Sequence, residues 1–255
     1  MIDIHSHILP GIDDGAQTME ETVEMAKTAV SEGIQTIIAT PHHMNNSYRN
    51  AKSDILPLVD RVNEELKNQQ IDLVVLPGQE CRIYGEIIED YLNGEILPLN
   101  IHSSYIFVEF PSNSVPRYTD RLFFDIQNEG LIPVIVHPER NAELISHPDK
   151  LYNLVKNGAA TQITASSLTG HFGKNIQKFS KQLIEANLTH FIASDAHNTS
   201  SRTFNMSKAL DEIEHTYGID MVYYFTENAD LLVEGKNIYK EIPEKVKKRK
   251  FLGIF

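Results

Sequence analysis

The sequence predicts an α/β fold of parallel strands joined by crossover helices, on three observations. Short apolar, β-branched runs recur along the chain, amphipathic segments of helical period lie between them, and the two alternate about seven times. No low-complexity linker interrupts the alternation, so residues 1–255 read as a single domain. Alternation of this kind fits an open doubly wound sheet or a closed barrel of the triosephosphate isomerase type, and periodicity does not choose between them.

The elements are expected in the following order. A strand at residues 1–4 precedes a helix in which Met19, Val23, Ala26 and Val30 fall at three- and four-residue spacing, with Glu20, Glu21, Glu24 and Lys27 on the other face and Gly33 as the stop. Strands at 36–39, 73–76, 105–110, 132–136, 161–164 and 190–193 then alternate with helices at 54–67, 84–92, 119–128, 149–156, 173–186 and 204–217. Gly130, Gly158 and Gly218 close three of those helices. A last helical stretch at 227–234 leads to a basic run, 245–250, read as a solvated tail, and an apolar end, 251–255.

Composition narrows the function. With 41% hydrophobic residues in 255 the chain buries a sizeable core, which excludes disorder and a disulfide miniprotein. Lys and Arg total 23 against 35 Asp and Glu, and the net charge of −12 is a poor match for a nucleic-acid backbone. The single cysteine, Cys81, excludes an internal disulfide and a Cys-rich zinc module and fits a reducing compartment. No apolar stretch approaches the roughly 20 residues of a membrane span, and Met1 runs directly into Ile-Asp-Ile-His without a secretory signal. The expectation is a soluble cytoplasmic protein whose acids and eleven histidines need a role.

Position supplies that role. The first strand runs into His5-Ser6-His7, with Asp13 and Asp14 beyond; the second delivers Thr40-Pro41-His42-His43; the third is followed by Gly78-Gln79-Glu80. The fourth contains Glu109, the fifth leads into His137-Pro138-Glu139-Arg140, and the seventh into Ser194-Asp195-Ala196-His197. In parallel α/β folds the carboxyl ends of the strands bear the site, so six segments aim imidazoles and carboxylates at one place. Residues i and i+2 of a strand share a side, which lets His5 with His7, and Asp195 with His197, hold one ion together. Mixed imidazole and carboxylate ligands without thiolates suit zinc, manganese or iron(II) better than calcium. His5, His7, Asp14, His42, Glu80, Glu109, His137, Asp195 and His197 make nine candidates. That is too many for one tetrahedral ion and enough for two or three ions bridged by a carboxylate such as Glu80.

The other histidines carry plainer readings. His102, His147, His171, His190 and His215 sit in loops, in helices or at strand beginnings and read as structural. His43 is open between ligand, substrate contact and neighbour of a ligand, Asp13 and Asp14 are hard to separate, and Asp3 reads as a support for ligands. Cys81 reads as a packed side chain beside Glu80: six residues on stands Ile87, so a Cys-x5-Arg phosphatase loop is absent. Gly-x-Ser-x-Gly and Gly-x4-Gly-Lys-Ser/Thr are absent too, which sets aside serine hydrolases and P-loop hydrolases.

Together these segments resemble the polymerase and histidinol phosphatase (PHP) family. The opening His5-Ser6-His7-Ile8-Leu9-Pro10-Gly11-Ile12-Asp13-Asp14-Gly15 is similar to the manganese-dependent protein tyrosine phosphatases of bacterial capsule and exopolysaccharide operons. The resemblance implies a distorted seven-stranded (β/α) barrel, a trinuclear centre served best by manganese, with Fe2+, Co2+, Zn2+ or Mg2+ as alternatives, and phosphotyrosine on a bacterial tyrosine kinase and its targets as substrate. It implies one ion on His5, His7, Glu80 and Asp195, a second on Glu80, Glu109 and His137, and a third on Asp14, His42 and His197. Arg140 and Arg202 are implied to bind phosphate. A water bridging the ions, its pKa lowered toward neutrality, is the expected nucleophile, with Asp14 acting through water, or an ion, assisting the leaving phenolate. Another phosphoester (histidinol phosphate, a nucleotide, a DNA 3′ end) and a noncatalytic role in regulating the kinase are the competing expectations.

Overall fold

A computed structural model describes residues 1–247. The apolar end and residues 248–250 of the basic run lie outside the described residues. The elements in chain order are β1 (Ile2–Ser6), α1 (Met19–Ser31), β2 (Thr36–Ala39), β3 (His42–His43), α2 (Lys52–Asn68), β4 (Val74–Pro77), β5 (Glu80–Arg82), α3 (Ile87–Leu92), β6 (Tyr105–Glu109) and α4 (Thr119–Asn128). They continue with β7 (Ile132–Val136), a 3-10 turn (Pro138–Arg140), α5 (Ala142–Ser146), α6 (Asp149–Lys156), β8 (Ala160–Thr164), α7 (Ala165–Leu168), α8 (Lys174–Glu185), β9 (Phe191–Ala193), α9 (Met206–Tyr217) and α10 (Ile219–Val233).

Every strand pairing is parallel, in a three-stranded sheet ordered β1-β2-β4 and a six-stranded sheet ordered β3-β5-β6-β7-β8-β9. Where two strands were expected the chain makes four. β2 and β3 are separated by Thr40-Pro41, and β4 and β5 by Gly78-Gln79. Register is unbroken across the gap: Ala39 lies opposite Pro77, and His42 opposite Glu80. Proline has no N–H to give to a ladder, which is why pairing lapses here. At the other side β1 meets the segment after β9, where Asp195 N donates to His5 O (2.8 Å) and His7 N to Ala196 O (2.8 Å). Asp3 reinforces this junction by accepting from Ser194 N (2.9 Å) and Ser194 Oγ (2.5 Å).

Both faces of the sheets are buried. Ile37, Ile106, Val108, Ile135 and Ile192 pack under the helices, while their neighbours Ile38, Tyr105, Phe107, Val134 and Phe191 form a second cluster on the opposite face. This explains why the strands read as continuous apolar runs instead of alternating ones. Ala229 and Leu232 of α10 join that second cluster, next to the amino ends of the strands. α10 begins eight residues before the expected helical stretch. Gly218 (φ +89°) ends α9 and starts α10, and the buried stripe Phe225, Asn228, Ala229 and Leu232 carries the helix through Tyr223-Tyr224, whose aromatic rings weaken the local helical signal.

Candidate metal centre

The carboxyl ends of these strands converge. Three groupings bring one ligand-type atom from each member to within 4.8 Å of one another: His7, Asp14, His42 and His197; His5, His7 and Glu80; and His42, Glu80 and Glu109. Asp195 Oδ1 lies 3.5 Å from His5 Nε2 and 3.4 Å from His7 Nε2, and His137 Nε2 lies 2.9 Å from Glu80 Oε1. All nine expected ligands are therefore within reach of this cluster. His7, His42 and Glu80 each belong to two groupings. Buried His42 Nδ1, Glu80 Oε2, Glu109 Oε2 and His197 Nε2 make no well-aligned hydrogen bond among the described residues, although His42 Nδ1 and Glu80 Oε2 are 2.8 Å apart, Glu109 Oε2 is 3.3 Å from Arg82 Nε and His197 Nε2 is 3.4 Å from Asp14 Oδ1. Burying such atoms unsatisfied is costly, and imidazole plus carboxylate is a donor set for a borderline divalent ion. The residues fit a metal.

The supporting contacts set which atoms face inward. His5 Nδ1 is 3.0 Å from Gln162 Oε1 and His7 Nδ1 is 2.6 Å from Asp13 Oδ2, while His197 Nδ1 is 3.0 Å from Asp195 O. Each of these three rings donates from Nδ1 to an oxygen and turns Nε2 toward the cluster, the tautomer a ligand needs. Asp13 also accepts from Gly15 N (2.9 Å) and His42 N (3.0 Å), so it is fully committed to holding the loop. Asp14 faces His42 Nε2 and His197 Nε2, each at 3.4 Å. Of the two adjacent acids, Asp14 falls in one of the groupings and Asp13 in none. A Cβ at Gly15 would lie 2.0 Å from His7 O, so the loop closes on β1 only with glycine there. His43 points away: its Nδ1 is 2.8 Å from Asn50 O, and it is in none of the groupings. His137 (φ +36°) and Asp195 (φ +54°) hold left-handed backbone conformations, a strain that the surrounding structure must sustain.

A cavity of about 410 Å³ opens onto this floor, with Arg140 and Arg202 in its wall. Arg140 Nη2 donates to Asp195 Oδ2 (2.5 Å), and Arg202 Nη2 reaches both oxygens of Asp195 (3.2 and 3.1 Å). Glu139, next to Arg140, is buried and accepts from Thr164 N (3.0 Å) and Ser167 Oγ (2.6 Å), which anchors the 3-10 turn.

A model of the family described as capsular polysaccharide synthesis, CpsB/CapC, matches residues 1–234. The chain belongs to the CpsB/CapC family. It is 50% identical over 255 residues, the whole of both chains, to the tyrosine-protein phosphatase YwqE of Bacillus subtilis. A crystal structure of YwqE, described together with CpsB from Streptococcus pneumoniae as unique metal-dependent tyrosine phosphatases, superposes with a TM-score of 0.95, covering 97% of this chain and 100% of that one. An organophosphorus hydrolase from Deinococcus radiodurans shares the fold at 14% identity, with a TM-score of 0.57 over 91% of each chain.

Electrostatics in this CpsB/CapC chain follow from crowding. Burial opposes charge on Glu80 and Asp195, yet His42 and His5 hold Glu80, and Arg140 and His5 hold Asp195, well below the usual carboxylate range. His197 and His42 hold the half-exposed Asp14 low as well. Glu109 goes the other way, pushed up to about 7 by burial and then by the charge of Glu80. Burial would depress His7 and His42, but Asp13 holds His7 well above its ordinary value, and Glu80 with Asp14 brings His42 up to about 10. His137 and His197 fall to about 4, by burial and then by Arg140 and His7 respectively. A divalent ion would take the place of the protons on His7 and His42.

Two contributors escaped the sequence reading. Gln162 orients His5, and the signal for it was a buried-strand glutamine between Thr161 and Ile163. Arg82 lies with Nε 3.3 Å from Glu109 Oε2, and its Nη1 donates to Phe110 O (2.8 Å). Only its place two residues after Glu80 hinted at that. Of the remaining histidines, His102, His147, His171 and His215 are exposed and His190 is buried at the opposite end of the sheet. Cys81 is buried with its sulfur 3.2 Å from Gln79 Oε1, and burial pushes its thiol up, the opposite of a nucleophile's needs.

Proposed function

We infer that this chain is a metal-dependent tyrosine phosphatase acting on phosphotyrosine of a bacterial tyrosine kinase and its targets, in capsule or exopolysaccharide synthesis. The observation that carries this reading is the pairing of a floor of nine imidazole and carboxylate groups with two forked cations, Arg140 and Arg202, in the wall above it. Identity of 50% over the whole chain to a named tyrosine-protein phosphatase supports the substrate class. Three ions, manganese for preference, would sit on His5, His7, Glu80 and Asp195, on Glu80, Glu109 and His137, and on Asp14, His42 and His197. The ions would supply Lewis-acid charge and a lowered pKa for water.

The chain's own groups do the rest. Arg140 and Arg202 leave Asp195 to clamp phosphate oxygens, where planar forked donors match the geometry and meet the charge that develops in the transition state. Gln162, Asp13 and the Asp195 carbonyl keep the imidazoles in one tautomer. Asp14, ionised beside two imidazoles, suits a ligand better than a proton donor. A strong acid is little needed, because tyrosinate, with a parent pKa near 10, is a tolerable leaving group.

The same reading takes the two sheets as one distorted seven-stranded PHP barrel in a single domain. β2 with β3 and β4 with β5 would count as broken single strands, and the β1–β9 hydrogen bonds would close the ring. No helix among the described residues is long and apolar enough to cross a membrane. A cytoplasmic place for the chain accords with its lone buried thiol. The test is hydrolysis of a phosphotyrosine peptide by the purified chain across a metal series, with elemental analysis of bound ions. Manganese-dependent turnover abolished by chelator is expected; indifference to both metal and chelator would overturn the reading, and preference for histidinol phosphate would move the substrate.

A further inference from the structure

The wall of the cavity contains an aromatic side chain to which the phosphatase reading assigns no part. Phe172 lies in the short connection between α7 and α8, flanked by Gly170 (φ +81°) and Gly173 (φ +95°), and is only partly buried. Its ring lies over the Arg140 guanidinium, with 5.3 Å from the guanidinium carbon to the ring centroid. His171 packs edge-on against it at 5.3 Å. The other aromatic ring in the wall, Phe110, is 4% exposed and stacked on Phe123 at 6.0 Å, so its face is already spent in the core. Tyr48 stacks on His42 at 6.2 Å but is outside the cavity wall.

We propose that Phe172 is a specificity-determining residue of this site, giving an aromatic face to the phenyl ring of a phosphotyrosine whose phosphate is held by Arg140 and Arg202. The inference rests on the phosphatase reading above and adds how the site selects its ester. Phe172 and Arg140 touch in one wall of the cavity, so an ester group on a phosphate held by Arg140 has Phe172 beside it as the wall phenylalanine whose face is not spent in the core. Aromatic pairs attract in offset or edge-on arrangements with centroids about 4.5–7 Å apart, which a ring next to that guanidinium satisfies. An alkyl phosphate such as phosphoserine presents no ring at that place, so it gains nothing from Phe172. The two glycines let the connection carry the ring inward without a neighbouring Cβ in strained backbone.

Titration calorimetry on the manganese-loaded protein tests this without turnover, using phenylphosphonate, methylphosphonate and inorganic phosphate as probes. Phe172→Ala is expected to weaken phenylphosphonate roughly two- to tenfold, the size of one aromatic pair, and to leave methylphosphonate and phosphate unchanged. Phe172→Tyr is expected to restore the preference. Equal weakening of all three probes would overturn the proposal, because Phe172 would then only position Arg140; so would no change in any. If phosphate binds the unsubstituted protein but phenylphosphonate has no advantage over methylphosphonate, Phe172 does not select the ring. If phosphotyrosine peptide is not hydrolysed at all, the fault lies in the phosphatase reading instead.

Discussion

His190 and His197 flank the same strand, β9, and both are buried imidazoles with depressed pKa, yet they sit in opposite kinds of surroundings. At the amino end His190 Nδ1 accepts from Thr161 N (3.2 Å), its carbonyl accepts from Asn228 Nδ2 (3.1 Å), and α10 covers it. At the carboxyl end His197 Nε2 has no partner and faces Asp14 at 3.4 Å. The contrast extends to the whole molecule. Among the described residues the buried side-chain polar atoms without a well-aligned hydrogen bond belong to Thr40, His42, His43, Glu80, Glu109, Glu139, Gln162, Thr164 and His197; His42 and Glu80 open β3 and β5, which continue β2 and β4, Gln162 is in the middle of β8, and the others lie at strand ends or just beyond. The amino end of the sheets is finished by hydrogen bonds within the protein, and the unpaired atoms gather toward the other. Unsatisfied buried groups on one side only are a sign of function, since a poorly made core would scatter them.

The largest effect is expected on removing the carboxylate that most of the imidazoles share. Glu80→Gln is expected to lower bound metal by at least one ion per chain by elemental analysis and to reduce phosphotyrosine turnover about a thousandfold or more; full metal content in the variant would contradict the assignment. Arg140→Ala is expected to cut kcat/KM about 10²–10³-fold, as loss of a transition-state donor does, with metal content and thermal unfolding little altered. An unchanged kcat/KM would place Arg140 outside the clamp.

Smaller effects probe the supports. Asp13→Asn weakens the hold on His7 Nδ1, and an outer partner of this kind is worth about 10–100-fold in metal affinity. Competitive chelator titration reads it, and an unchanged midpoint would show that Asp13 serves the loop only. The amino end is tested by pH. Burial, and then Lys240, lowers His190 to about 3. A folded pKa below the unfolded value, near 6.5, favours the folded chain fully above pH 6.5. That advantage is lost as pH falls toward about 3. Within the window the contribution changes by about 1.4 kcal/mol per pH unit. His190→Gln should therefore show a flatter fall in denaturant stability between pH 6.5 and 4.5 than the unsubstituted chain, and parallel curves would refute it.

Sequence by itself determined the alternation and most of the chemistry. Strands β2 and β7 and helices α4 and α6 fall at the expected residues, because apolar period, helix-stopping glycines and β-branched runs act locally. The positions after the strands also exposed the nine ligand candidates, since parallel α/β sheets put their sites at one end. Tertiary structure decided what depends on partners far along the chain. Asp13 turns to His7 and Asp14 to His42 and His197, though the two acids are adjacent and chemically alike. His43 is turned to Asn50 while His42 faces Glu80, because neighbours on a strand point to opposite sides. Gln162, Arg82 and Phe172 come to the site from β8, β5 and the α7–α8 connection. Local pattern marks them only faintly, because their roles exist only once the strands lie side by side.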